Sequence, residues 1–227
     1  MLNLTIAFIT GFIIPFIARR LGKILPSTTG AILFHLPHKP RIPKTHNPLR
    51  YKLFLTRWKK LCLNALIFGV LNTFLCWYVY SYFPKEMLSY AYIFIWLVLC
   101  SANVDTRFFI LPDCLTIPLM LVGFIFATRT NIISPAQSID GACFAYLITA
   151  FSVFCLSFTH NNLFGAGDSK MAIALGVWLG IQGLNYAIFS SFFLFVLYAF
   201  ITKKRSGAYG PALGLAGLFS FFILYTK

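Results

Sequence analysis

The chain has only five acidic residues among its 227, so any carboxylate chemistry must use this small set: Glu86, Asp105, Asp113, Asp140 and Asp168. Two carboxyl groups held close together in a poorly hydrated site cannot both ionise readily, so one of them keeps its proton. Such a pair offers an acid and a base that can activate water for attack on a peptide bond. The surroundings of each acid decide which of them can form the pair.

Three of the acids lie in two short segments of distinctive sequence. Residues 105–113 read DTRFFILPD, with Asp105 and Asp113 at the two ends, and residues 165–170 read GAGDSK, with Asp168 near the middle. Glycine has no side chain and permits unusual backbone shapes, so Gly165 and Gly167 are expected to let a substrate backbone come close to Asp168.

A structural role is the alternative for each of these residues. Asp accepts hydrogen bonds from the free amides at the start of a helix, and Pro112 disfavours helix before Asp113, so Asp113 is predicted to be the N-cap of the fourth helix. For Asp168, capping of the sixth helix and a catalytic role are equally good interpretations. Lys170 has an alternative role as a topology signal. Solvated loop or interface positions are predicted for His35, His38, His46 and His160.

The elements that position these residues are predicted to be membrane helices. Hydrophobic residues make up 59% of the chain, charged residues only 11%, and the mean hydropathy is +0.80. A soluble core cannot hold this much apolar surface, so the predicted fold class is all-α, a polytopic membrane protein. About eight spans are predicted, at 2–18, 61–83, 87–104, 115–127, 141–158, 171–184, 184–201 and 208–225.

Two of these apolar runs, 115–127 and 171–184, are shorter than the roughly 20 residues that a spanning helix needs. The fourth helix is therefore predicted to extend back to about Phe108 and the sixth to about Phe164. These extensions draw Asp113 and Asp168 into the margin of the bilayer, where ionisable groups are costly and usually functional.

Lysine and arginine predict the orientation, because cytoplasmic loops collect them. An uncharged start followed by Arg19, Arg20 and Lys23 is typical of a retained first helix with its N-terminus outside. Sixteen of the 19 basic residues then fall in cytoplasmic segments, at 19–60, 105–114, 159–170 and 202–206.

This orientation places Asp105, Asp113 and Asp168 at the cytoplasmic face, with Glu86 and Asp140 outside. It also explains the net charge of +14 by topology and contact with anionic membrane lipids, so nucleic acid is not an expected partner. The predicted organisation is a single integral membrane domain over 1–227, with a basic cytoplasmic loop at 19–60 and a catalytic region at 105–175.

Taken together, the two segments resemble the signature segments of the bacterial type IV prepilin peptidases. That family has an Asp followed by a Leu-Pro-Asp whose Asp lies eight residues later, and a GxGDxK motif. The tripeptide at 209–211, YGP, is similar to the family's Phe-Gly-Pro. The resemblance implies that Asp105 and Asp168 form a catalytic dyad at the cytoplasmic face of the bacterial inner membrane. It implies supporting roles for Asp113, Gly165, Gly167 and Lys170.

The function implied by the resemblance is that of an intramembrane aspartyl endopeptidase. Its substrates would be type IV prepilins or type II secretion pseudopilins, from which the family removes a short basic leader. Many members also N-methylate the new terminus with S-adenosylmethionine, and many carry two CxxC pairs in the first cytoplasmic loop that are thought to bind zinc. Residues 19–60 contain no cysteine, which argues against zinc and weakens the expectation of methylation. Proteolysis itself is expected to need no cofactor.

Two other functions fit part of the pattern. A proton-coupled transporter also uses intramembrane carboxylates, but it is expected to place them near the midplane, whereas these cluster at one margin. A catalytically inactive pilin-assembly protein would share the resemblance, but both motifs are complete here.

Overall fold

The structure, a computed structural model, describes residues 2–24, 48–157, 165–202 and 208–226. Within these ranges the long regular elements are all α-helices: α1 (Leu2–Ile24), α2 (Pro48–Tyr82), α3 (Leu88–Phe108), α4 (Asp113–Arg129), α5 (Pro135–Ser157), α6 (Ala166–Thr202) and α7 (Gly210–Tyr225). A short 3-10 turn, Lys85–Met87, precedes α3. The predicted all-α class is confirmed for the described part of the chain.

In the described part of the chain, five helical segments are long and apolar enough to cross a membrane: Leu4–Leu21, Trp58–Tyr82, Lys85–Phe108, Pro135–Cys155 and Gly167–Ile201. Large apolar side chains such as Phe189, Phe200 and Leu147 are exposed on the outside of the bundle, where lipid would surround them. The protein is therefore a multi-pass membrane protein, as predicted. The count of eight spans stays a prediction.

Helix α6 is interrupted at Gly180, whose φ of 62° and ψ of −175° lie far from helical values. The half before it, 166–179, runs parallel to α7. Met171 lies against Gly214, and the Tyr225 hydroxyl donates a hydrogen bond of 2.7 Å to the backbone oxygen of Trp178. The two helices therefore run in the same direction.

The half after the break, 181–202, runs antiparallel to α7. The Ser220 hydroxyl donates a 2.6 Å hydrogen bond to the backbone oxygen of Gly183, and Ser191 contacts Tyr209. Helix α6 is therefore a hairpin of two helical halves. The boundary predicted at Leu184 lies four residues too late, because the sequence is apolar on both sides of the turn.

We expect Gly180→Ala to destabilise the protein. A Cβ at this position would have room, since its nearest contact would be 3.6 Å away, so the cost comes from the backbone alone. Only glycine adopts this φ and ψ readily, and the strain of another residue is about 1–3 kcal/mol. Thermal unfolding of purified protein in detergent would measure the loss. Gly214→Ala, within a regular helix, serves as the control, and equal midpoints for both variants would contradict the prediction.

An aromatic cluster holds together the helices that carry the candidate site. The Trp178 indole is fully buried, and its Nε1 donates a 2.8 Å hydrogen bond to the backbone oxygen of Leu119 on α4. Its ring centroid lies 4.8 Å from that of Phe94 and 5.1 Å from that of Phe126, while Phe94 stacks on Phe221 at 4.4 Å. These contacts fix α3, α4, α6 and α7 relative to one another.

The predicted extension of the fourth helix back to Phe108 is wrong. Phe108 is the last residue of α3, and Phe109 turns the chain with a left-handed φ of 55°. Helix α4 begins only at Asp113, because Pro112 is extended and has no amide hydrogen. For the sixth helix, Gly165 is not helical and α6 begins at Ala166, while the predicted start at Phe164 lies outside the described residues.

The predicted basic loop at 19–60 is helical at both ends, because α1 continues to Ile24 and α2 begins at Pro48. The ranges 25–47, 158–164 and 203–207 lie outside the described residues. The predictions made for the four histidines fall in the first two of these ranges. The prediction that the protein binds no zinc rests on the loop at 19–60 and stays a prediction.

Candidate active site

Asp105 lies in the last turn of α3 and is only 4% exposed. Its Oδ2 accepts a hydrogen bond from the backbone nitrogen of Gly210 at 3.0 Å. Gly210 is the first residue of α7, where backbone amides have no partner within the helix. The next residue, Pro211, has no amide hydrogen, so Gly210 supplies the donor. The carboxyl group of Asp105 thereby joins the end of α3 to the start of α7.

Asp168 is half-buried in the first turn of α6. Its carboxyl group lies back toward Gly165, since a Cβ on Gly165 would come within 3.2 Å of its Oδ2. A contact between the third helical residue and the amide before the helix is a known stabiliser of helix starts. A contact typical of a helix-capping role for Asp168 is therefore present.

The two carboxyl groups nevertheless face one site from different helices. Asp105 and Asp168 lie within range of electrostatic interaction with one another, and Asp168 lies within the same range of the Tyr209 hydroxyl. Tyr209 precedes α7 and is hydrogen-bonded to the Ser191 hydroxyl at 2.5 Å. Neighbouring carboxyls in a largely buried site are what acid and base chemistry requires. The structure brings the predicted pair together, and its catalytic role stays a prediction.

Leu111 fills the space beside two glycines. A Cβ on Gly167 would lie 2.8 Å from the Leu111 Cβ, and a Cβ on Gly210 would lie 3.0 Å from its Cδ1. The connection between α3 and α4 brings Leu111 against Gly167, so packing within the chain also requires a glycine here. The expected approach of a substrate backbone at Gly167 stays a prediction. Leu111 separates the starts of α6 and α7 next to Asp105.

Asp113 does not cap α4. The N-cap position is Pro112, no side chain makes a capping hydrogen bond there, and Asp113 lies in the first turn. Its Oδ1 instead accepts a hydrogen bond from Lys170 Nζ at 2.6 Å, with both side chains about half exposed. The capping prediction is therefore wrong, because a cation on α6 binds the carboxylate. The ion pair joins α4 to α6 at the rim of the site.

We expect this ion pair to contribute little to stability. Exposed pairs typically contribute about 0.2–1 kcal/mol, since water screens the charges and two long side chains must be ordered. A double-mutant cycle with Asp113→Asn and Lys170→Met, followed by thermal unfolding, would measure the coupling. A coupling free energy well above this range would mean that the pair is a main support of the fold.

Leu111 and Ser191 were not among the predicted site residues. Ser191 is fully buried in the second half of α6, among exposed residues such as Phe192 and Phe193. A pair of serines, Ser190 and Ser191, in an apolar run is the signal that the sequence offers for it. Leu111 belongs to the Leu-Pro-Asp tripeptide, but the sequence does not show that it packs against glycines of α6 and α7.

Comparisons with known proteins agree with these motifs. Residues 92–200 match the model of the Type IV leader peptidase family, and this range includes all three clustered Asp residues. The chain is 31% identical over 147 residues to the prepilin leader peptidase/N-methyltransferase of Dichelobacter nodosus, covering 63% of this chain and 51% of that protein. The corresponding protein of Neisseria gonorrhoeae is 31% identical over 166 residues, covering 70% and 56%.

A third relative matches over more of its length. The prepilin leader peptidase/N-methyltransferase of Escherichia coli (strain K12) is 26% identical over 211 residues, covering 87% of this chain and 90% of that protein. The chain spans about half the length of the first two relatives. No solved structure matches the chain. The resemblance predicted from the sequence motifs is confirmed.

Proposed function

Since residues 92–200 match the model of the Type IV leader peptidase family, we propose that the protein is an intramembrane aspartyl endopeptidase. The proposed substrates are type IV prepilins or type II secretion pseudopilins, from which it removes the basic leader. The observation that carries this proposal is the pair Asp105 and Asp168, whose carboxyl groups come from different helices and act on one another in a largely buried site.

The proposed mechanism uses the two carboxyl groups as acid and base. The protonated carboxyl donates a hydrogen bond to the oxygen of the scissile carbonyl, while the ionised one takes a proton from a water molecule. The water oxygen attacks the carbonyl carbon. The carbon–nitrogen bond then breaks, and the leaving amine receives a proton from the pair. The proton belongs to the pair, so neither role is assigned to Asp105 or to Asp168 alone.

We place the site at the cytoplasmic face of the bacterial inner membrane. Basic residues collect on that side, and the end of the bundle that carries Asp105 and Asp168, called here the dyad end, also carries Arg19, Lys60 and Arg107. The substrate's apolar helix would lie laterally among the peptidase helices, with its leader held at this face. Peptide bonds just outside the bilayer would then reach the dyad.

Methylation of the new terminus would need S-adenosylmethionine, a sulfonium cation. The cavity at the dyad end is lined by three cations, Arg19, Lys60 and Arg107, so its charge does not suit this cofactor. The proposed activity is therefore confined to proteolysis. Mass spectrometry of the mature substrate tests this, because an N-terminus heavier by one methyl group would contradict it.

Coexpression of the full chain with a prepilin or a pseudopilin tests the proposal. We expect the wild-type protein to shorten the substrate by its leader, visible as a shift on a gel, and an empty vector to leave it intact. An assembly protein would copurify with the substrate without shortening it. A proton-coupled transporter would acidify or alkalinise the lumen of proteoliposomes. Either result without cleavage would overturn the peptidase proposal.

A further inference from the structure

A cavity of about 290 Å³ lies at the dyad end between α1, α2 and α3. Three of its six lining residues are basic and come from three different helices. The lining consists of Arg19, Lys60, Leu61, Asn64, Arg107 and Phe108. Because no single helix supplies this cluster, the fold itself brings the positive charges together.

The cluster has no counter-charge among the described residues. Among these residues the ion pair is that of Lys170 with Asp113, outside the cavity lining, and the Asp105 carboxyl is hydrogen-bonded to Gly210. Arg19 lies within electrostatic range of Arg107, and Nη2 of Arg107 is buried without a hydrogen-bond partner among the described residues. Buried donors nearly always have partners, so this nitrogen lacks one, and the neighbouring cation favours an anion in that place.

The position of the cavity indicates which anion. Arg19, Lys60 and Arg107 lie near one end of three membrane-spanning segments, at the level where lipid headgroups would be. The same three helices, with α4, also line an apolar cavity of about 610 Å³ that includes Thr10 and Trp96. Thr10 precedes Arg19 by nine residues, or roughly 14 Å of helix, which is close to the depth of one leaflet, about 15 Å.

We propose that the basic cavity binds the phosphate group of an anionic phospholipid. Arginine suits this ligand because its planar guanidinium matches phosphate oxygens with two parallel hydrogen bonds. Leu61 and Phe108 line the same cavity and would contact the apolar part of the lipid next to the headgroup. The apolar cavity on the same helices offers room for an acyl chain. This inference does not depend on the proposed peptidase activity.

Native mass spectrometry of the purified full chain tests the proposal without an activity assay. We expect phosphatidylglycerol to be retained more strongly than phosphatidylcholine of the same chain length. Each lost charge near a membrane surface is expected to weaken binding about fivefold. Arg19→Gln and Arg107→Gln should therefore each release the anionic lipid at a lower collisional activation energy than the wild type. Arg107→Lys should retain part of the affinity, because it keeps the charge.

Arg20→Gln is the matched control, since Arg20 adjoins Arg19 and is exposed outside the cavity lining. It removes the same charge, and retention like that of the wild type supports a defined site. Equal losses in Arg20→Gln and Arg19→Gln would indicate only general attraction and would overturn the proposal. Equal retention of the two lipids would also overturn it. Thermal stabilisation by inorganic phosphate without any by phosphatidylglycerol would assign the cavity to a free anion and overturn the lipid assignment.

Discussion

Replacement of Asp168 by Asn is expected to reduce leader removal by about 10²–10⁴-fold, because the amide can neither hold nor accept the proton that the reaction transfers. Asn has nearly the same shape as Asp, so the contact of residue 168 with the start of α6 can persist. Asp105→Asn is expected to have an effect of similar size. The double variant should be little worse than either single one, since the two carboxyls act as a unit.

The rate of cleavage should be measured with purified protein and a full-length prepilin in detergent micelles. Asp140→Asn is the matched control, because it makes the same chemical change at an exposed position in the first half of α5. Normal cleavage by both Asp105→Asn and Asp168→Asn would exclude the dyad mechanism. Loss with Asp113→Asn alone would mean that the dyad is wrongly assigned. Size-exclusion profiles and thermal unfolding would show whether a loss reflects misfolding.

The membrane class and the pair of acids could be predicted because both are local in the sequence. Apolar runs identify spanning helices by length and composition. Asp105 lies at the end of one run and Asp168 at the start of another, so antiparallel packing with short connections brings both to the same end. The structure places them as expected, although the two residues are 63 positions apart.

The partner of Asp113 could not be predicted in the same way. A capping bond uses amides within a few residues, and the sequence around Pro112 favours it. The observed partner, Lys170, lies 57 residues further along the chain. A flexible cation with strong charge competes with local amides for the carboxylate, and only the packing of α4 against α6 decides the outcome.

The turn residue Gly180, four residues before the predicted boundary, and the packing of Leu111 could not be predicted for a different reason. In a membrane the residues that face lipid are as apolar as those that face the protein, so hydrophobic periodicity does not show which faces are in contact. The run across Gly180 therefore looks uniform, and the motif that contains Leu111 does not show where its side chain packs. The turn depends on the left-handed backbone of Gly180, and the position of Leu111 depends on close contacts with Gly167 and Gly210.

The close contact at Gly210 leads to the second large effect. A Cβ on Gly210 would lie 2.5 Å from Oδ2 of Asp105 and 3.0 Å from Cδ1 of Leu111, both well inside normal contact distance. In Gly210→Ala the backbone donor remains, but the buried carboxyl must move away from it. A displacement of about 1 Å in a catalytic group can cost roughly 10²-fold in rate, so we expect cleavage to fall by about this factor. The loss should appear mainly in kcat, because the change displaces the reacting group without altering the leader-binding surface.

Gly214→Ala is the control for this prediction, since it adds the same methyl group one turn later on the same helix. Its Cβ would lie 3.2 Å from Cγ1 of Val98, with other neighbours beyond 3.6 Å, so a small shift of one side chain accommodates it. We expect cleavage near the wild-type rate for Gly214→Ala and a large loss for Gly210→Ala, with both variants still folded. Equal activity in the two variants would mean that the contact between α7 and Asp105 does not position the dyad. An unfolded Gly210→Ala would instead make this contact a requirement of the fold, and the smaller change Leu111→Ala, which removes the side chain packed beside the same carboxyl, would then test positioning through kcat.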